Sequence, residues 1–160
     1  SVVLDSTYPI YKFEFINIHP AANEYFTFNL SIDSGSNYNV TKTSTLFATY
    51  HNEGGSASGL AYAASSDLAQ STAFQNLRAG RIGIGNDECL SGTLQIFNPS
   101  STTFVKHYIS RVSNLENAYA SDSFVAGYGN TTSAVDAVRF QMSSGNIDAG
   151  KIKLYGIKDS

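Results

Sequence analysis

The sequence predicts an all-β fold, an antiparallel β-sandwich or jelly roll of about nine or ten strands, and three observations predict it. Apolar residues recur at every second position in several runs, among them Tyr25 to Ile32 and Lys151 to Ile157. That is the period at which strand side chains reach one face. These runs start roughly eight to fifteen residues apart, with clusters of Gly, Asn, Asp, Ser and Pro between them. No stretch carries a convincing helical period. A length of 160 residues fits one domain spanning residues 1–160, able to bury roughly two-thirds of its unfolded surface.

Tyr11 to Ile18 (YKFEFINI) is the first strand, with Tyr11, Phe13 and Phe15 on one face and Lys12 and Glu14 on the other. Apolar parity changes at Ile16, which predicts a bulge or a strand end covered on both sides. His19-Pro20 ends the run, because Pro20 has no N–H to give to a ladder. Tyr25 to Ile32 follows with Phe26, Phe28, Leu30 and Ile32 inward and Thr27, Asn29 and Ser31 outward, and the short link predicts that these two runs pair. Asp33-Ser34-Gly35-Ser36-Asn37 is a turn cluster. It falls short of a calcium loop, with Gly35 at a ligand position and no Glu at the closing distance.

Thr45 to His51 is the third strand, and the loop Gly54 to Gly59 leads to a fourth at Leu60 to Ala64. Asp67 to Leu77 fits a helical turn and a half or an edge strand, and the strand is favoured. Gly80-Arg81-Ile82-Gly83-Ile84-Gly85 lacks the third glycine and opening helix of a nucleotide loop, so strand and turn suffice. Ser91 to Phe97, Thr103 to Val112 and Ser123 to Tyr128 complete the middle of the chain. Neither parity of Thr103 to Val112 is wholly apolar, which predicts packing partly in the core and partly against another chain. Val138 to Met142 and Lys151 to Ile157 read as a closing hairpin across a polar link, and a last strand of this kind is expected to pair with an early one.

Composition excludes several function classes. The net charge is −3 and no Lys or Arg cluster appears, which argues against a nucleic-acid partner. No apolar run is long enough to span a membrane as a helix, and no membrane partner is expected. The single cysteine, Cys89, cannot form an internal disulfide, and no His lies near it in sequence to make it a nucleophile. Only 14% of residues are charged, against roughly 25% in ordinary domains. Such a neutral, hydroxyl- and amide-rich surface suits proteins that meet sugars or one another. The start at Ser1 has no signal-peptide character, and the missing Met suggests that an upstream segment was removed or left out.

Candidate chemistry is sparse. His19, His51 and His107 have no metal-ligand spacing, so no metal is expected. No GxSxG elbow exists, and no two of Glu14, Asp87, Glu88, Asp122, Asp136 and Asp148 form a readable glycosidase pair. Neither a catalytic residue nor a cofactor is predicted. Trp is absent while Tyr occurs ten times, so a sugar contact would draw on Tyr50, Tyr62, Tyr119 and Tyr128, for each of which packing in the core or at an interface is the favoured role. Asn146 and Asp148, in the polar link before the last strand, are further candidates for a neighbour contact. Sequons stand at Asn29, Asn39 and Asn130, relevant only on a eukaryotic secretory route.

YKFEFINIHPA (Tyr11 to Ala21), DSGSNYN (Asp33 to Asn39), TYHNE (Thr49 to Glu53), FNPSSTTFVKH (Phe97 to His107) and SSGNIDAGKIKLYGIK (Ser143 to Lys158) together resemble virion structural proteins of tailed phages. The type is common in marine and cyanobacterial phages, and the resemblance runs in order along essentially the whole chain. It implies a β-sandwich closed by the IKLYGI-like ending and borne on a fibre, knob or capsid decoration, often after a separate N-terminal attachment segment. It brings no catalytic residue. The expected protein is therefore a non-enzymatic component of the virion surface. It would associate with itself as a homo-oligomer, taken to be a trimer, and with other virion proteins. The alternative is a carbohydrate-binding module that contacts host surface glycans, and a depolymerase ranks third.

Overall fold

Most of the alternating runs fold as strands where the sequence places them. The computed structural model describes residues 2–159, so Ser1 and Ser160 lie outside it. Its strands are β1 (Val2–Val3), β2 (Ile10–Pro20), β3 (Phe26–Ser31), β4 (Lys42–Asn52), β5 (Ser58–Tyr62) and β6 (Gln75–Asn76). They continue with β7 (Leu90–Phe97), β8 (Lys106–Glu116), β9 (Tyr119–Gly129), β10 (Ala137–Met142) and β11 (Ile147–Ile157). Two antiparallel sheets result, one of four strands in the order β1-β10-β3-β6 and one of seven in the order β11-β2-β7-β8-β9-β4-β5. The fold is an all-β sandwich.

Two expected pairings are corrected. β2 and β3 do not pair: β2 joins the seven-stranded sheet and β3 the four-stranded one. β10 and β11 divide in the same way, β10 bonding to β1 and β3 and β11 to β2. Both links therefore cross from one sheet to the other instead of turning a hairpin. β2 and β3 face each other across the core, where Phe15 meets Phe26, whereas β11 runs on as an exposed edge strand beside β2. The last strand does pair with an early one, Ile157 opposite Ile10 and Leu154 opposite Phe13. It forms an edge of the sheet and does not close it.

The region from Ser65 to Gly85 is also corrected. Only Gln75 and Asn76 are strand, paired with Phe28 and Thr27; the rest is turn and loop, held by bridges at Ser71 and Ile82. β8 starts later than expected, at Lys106, and runs on to Glu116. Its buried parity is Lys106, Tyr108, Ser110, Val112 and Asn114. Thr27, Asn29 and Ser31, expected outward, are buried. Loops lie over them: Asn29 Nδ2 donates to the carbonyls of Tyr38 (2.6 Å) and Thr72 (2.9 Å).

The core lies where β3 and β10 cover β2, β7 and β8. Phe13 and Phe15 meet Phe140 edge to face at 5.0 and 5.2 Å, and Phe15 meets Phe26 at 5.1 Å. Phe28 stands on Tyr108 at 5.0 Å. Such contacts add roughly 0.5–1.5 kcal/mol per pair beyond burial itself. The parity change at Ile16 is a bulge: pairing with β7 slips between Phe15 and Ile18, and Asn17 takes φ 50. The slip returns Ile18 to the core, fully buried, while Asn17 is exposed.

The small sheet covers only the middle of the large one. On one flank almost every residue of β11 is exposed, and on the other so is most of β5. Ile152, Leu154, Tyr155 and Ile157 therefore reach solvent on the first flank, and Phe47, Tyr50, Leu60 and Tyr62 on the second.

Candidate functional site

The outer face of the seven-stranded sheet has no second layer, and the register sets what stands on it. β8 and β9 join through Asn117 and Ala118, both at positive φ (48 and 61), as a two-residue turn matched to strand twist requires. That turn places Arg111 opposite Phe124, and β4 places Phe47 opposite Phe124 on its other side. Tyr62 of β5 stands opposite Phe47. One row of side chains thus runs across four strands.

Contacts along the row are tight. The Arg111 guanidinium carbon lies 4.9 Å from the Phe124 ring centre, and Phe124 stacks on Phe47 at 4.9 Å with their planes 6° apart. Arg111 also grips Asp122 with two nitrogens, Nε at 3.0 Å and Nη2 at 2.6 Å from Oδ2. The carboxylate holds the guanidinium firmly in its charged form. Because the faces of Phe124 are taken by Arg111 and Phe47, that ring offers only its edge.

Shallow depressions flank the row where side chains are small. One of about 440 Å³ lies above Ala126, walled by Thr43, Thr45, His107, Ile109 and Tyr128. Another of about 300 Å³ is lined by Thr49, Tyr50, His51, Ser113, Ala120 and Asp122. A polar one of about 590 Å³ sits over the β10–β11 link and includes Asn146. All are open to solvent, and none is a closed chamber.

The sequence-predicted contact residues fall in separate places. Tyr50 and Tyr119 come together at one end of the large sheet, ring centres 6.2 Å apart. Tyr128 is at the opposite end, 6.2 Å from the His107 ring. Tyr62 lies on the flank, and its hydroxyl donates to Asp67 in a bond that raises the phenol pKa. Asn146 ends the β10–β11 link, its carbonyl accepting from Ala21 N, whereas Asp148, expected in that link, lies on β11 itself, its carboxylate facing His19 Nδ1 at 3.4 Å. They form no single site.

The remaining candidates have local partners. Asp33 is a turn organiser, accepting from Ser31 Oγ at 2.7 Å and from the backbone and side-chain nitrogens of Asn37 at 2.8 and 2.7 Å. Glu14 pairs with Lys12 at 2.9 Å on the outer face, and that bond lowers its pKa. Glu88 accepts from Asn117 N and Gly85 N, both at 2.7 Å, tying the Gly80 to Gly85 loop to the β8–β9 turn. His19, His51 and His107 lie on β2, β4 and β8, and among the described residues no group of three or more His, Cys, Asp or Glu is placed to hold a metal. Cys89 is half-buried, 3.9 Å from Asn17 Oδ1. The sequon residue Asn29 is fully buried.

The sequence singles out none of Arg111, Phe124 and Phe47, and Asp122 only as an unpaired acid, since their relation depends on cross-strand register. The signal that could have found them is the Asn117-Ala118 turn, from which the register follows by counting. Comparison with protein-family models, curated proteins and solved structures finds no match for this chain.

Proposed function

We propose that this domain is a non-enzymatic structural module of a phage particle's exterior that works by association with copies of itself, as a homotrimer, and with neighbouring virion proteins. The observation that carries self-association is the pair of uncovered flanks. Ile152, Leu154, Tyr155 and Ile157 on one, and Phe47, Tyr50, Leu60 and Tyr62 on the other, are each 37–68% exposed. Monomeric proteins rarely leave such apolar groups together in water. The phage placement and the trimer rest on the segment resemblance given above. Burying the flanks would stabilise the folded state by mass action, which suits a particle that must resist unfolding.

Light scattering of the whole chain at micromolar concentration tests the reading. A mass of three chains is expected, and a monomer across the concentration range would overturn it.

One observation favours a second reading, a glycan contact. The outer-face depression lined by Thr49, His51, Ser113 and Asp122 gathers hydroxyl, imidazole and carboxylate groups, the hydrogen-bonding partners that a sugar requires; the Tyr50 ring stands on the opposite face, against Tyr119. Binding on a glycan array that is lost in His51→Ala would support it. A blank array would remove it.

A further inference from the structure

The two ends of the large sheet complement each other. β5 is bonded only to β4. The bonds Asn52 N to Ala57 O and Ala63 N to Leu46 O bracket the β4–β5 register, and alternation between them turns Gly59 and Ala61 toward β4. Ser58, Leu60 and Tyr62 therefore direct their backbone N–H and C=O groups outward, unpaired among the described residues. β11, at the other end, is bonded only to β2 over eleven residues.

Size and charge match across these edges. On the core-side parity β11 carries Ile152 and Leu154, opposite Phe15 and Phe13, whereas β5 carries the small residues Gly59 and Ala61, opposite Tyr50 and Ala48. On the outer parity β11 carries Lys151, Lys153 and Tyr155, and β5 carries Leu60 and Tyr62. β11 holds Lys151 and Lys153 with one acid, Asp148, and Lys158 and Asp159 follow it. Residues 43–77, which contain β5, hold Glu53 and Asp67 and no Lys or Arg. A β11 edge facing another β11 edge would set lysines against lysines, the usual way in which an edge strand refuses its own kind. Facing β5, the same lysines meet acids.

We propose that β11 of one copy adds to β5 of the next as a continuing strand, so that copies join head to tail through unlike edges and close into a ring. This rests on the self-association proposed above and names the surfaces that carry it. Ile152 and Leu154 come beside Gly59 and Ala61 of the neighbour, against the Tyr50 ring that covers Gly59, and Lys151 and Lys153 lie toward its Asp67 and Glu53.

Charge reversal of the whole chain tests the arrangement, read by light scattering with a thermal melt to verify folding. Lys151→Glu with Lys153→Glu, and separately Glu53→Lys with Asp67→Lys, are each expected to weaken association at least tenfold. Combining all four in one chain is expected to restore it. A wild-type monomer overturns both this arrangement and the self-association reading. An oligomer that both reversals leave intact overturns the arrangement alone, as does failure of the folded fourfold variant to reassociate. If a reversal prevents folding, Leu60→Cys with Lys153→Cys, residues that this register sets opposite each other, in a Cys89→Ser background decides instead. Oxidation should give a ladder of disulfide-linked copies, and its absence overturns the proposal.

Discussion

Lys42 Nζ lies 2.5 Å from Asn29 Oδ1 and 2.8 Å from the Val40 carbonyl, with the lysine wholly buried. Among the described residues no acid pairs with it, so burial alone lowers its pKa from 10.5 to about 7. Between those two values the unfolded chain binds a proton that the folded chain does not, so stability rises with pH across about 7 to 10.5 and is flat in this term below 7. The rise is on the order of a few kcal/mol. Tyr108 opposes it only above pH 10, where its buried phenol stays protonated while the unfolded one ionises. Urea unfolding at pH 6.5 and 9.5 should show the gain in the native chain. Lys42→Met should flatten it, whatever the net cost of leaving the Val40 carbonyl unpartnered. An unchanged slope in the variant would assign the pH dependence elsewhere.

Gly150 faces the β2 bulge at φ +113, where an added Cβ would sit 2.6 Å from the Asn17 carbonyl oxygen and 2.8 Å from Ile18 Cα. Gly145 has a similar strain, φ +70, but open space around it. Gly150→Ala should therefore cost about 1–3 kcal/mol, and Gly145→Ala about 1 kcal/mol or less. Equal costs in denaturant titrations would mean that backbone strain alone matters and that the bulge contact does not.

These two sites also mark how far the sequence could be read. The parity change at Ile16 announced the bulge, because period-two alternation reports which side of a strand is buried. Alternation does not report the partner. The links from His19 to Tyr25 and from Ser143 to Asn146 look like hairpin turns yet carry the chain between sheets, where Phe15 meets Phe26 and Phe140 across the core. Asn29 reads as a solvent-facing residue and is buried because loops distant in sequence bring the Tyr38 and Thr72 carbonyls to it. The tyrosines were legible as candidate rings, of which Tyr50, Tyr62 and Tyr119 are exposed and Tyr128 half-buried. Their grouping was not, since the pairing of Tyr50 with Tyr119 is set by β4–β9 register and the separation of Tyr128 by strand length.

Phe140 ties the sheets together. It stands on the small sheet and meets Phe13, Phe15 and Phe26 within 6.0 Å. Phe140→Ala removes one ring from all three contacts and should cost about 3 kcal/mol. Phe140→Leu should recover at least half of that, since volume rather than ring geometry dominates such losses. Equal destabilisation of the two variants in urea would show that the edge-to-face geometry carries the effect.

Ile109 and Phe47 both stand on the outer face and are 54% and 40% exposed, but their surroundings differ. Ile109 borders the depression above Ala126, whereas Phe47 is stacked on Phe124, which in turn holds Arg111. Ile109→Ser should change stability by less than about 0.5 kcal/mol, as surface substitutions do. Phe47→Ser should cost about 1 kcal/mol through the lost ring pair. If copies join by their edges, Ile109→Ser also leaves the associated mass unchanged. Should Ile109→Ser dissociate the assembly, the outer face and not the strand edges would be the surface through which copies meet.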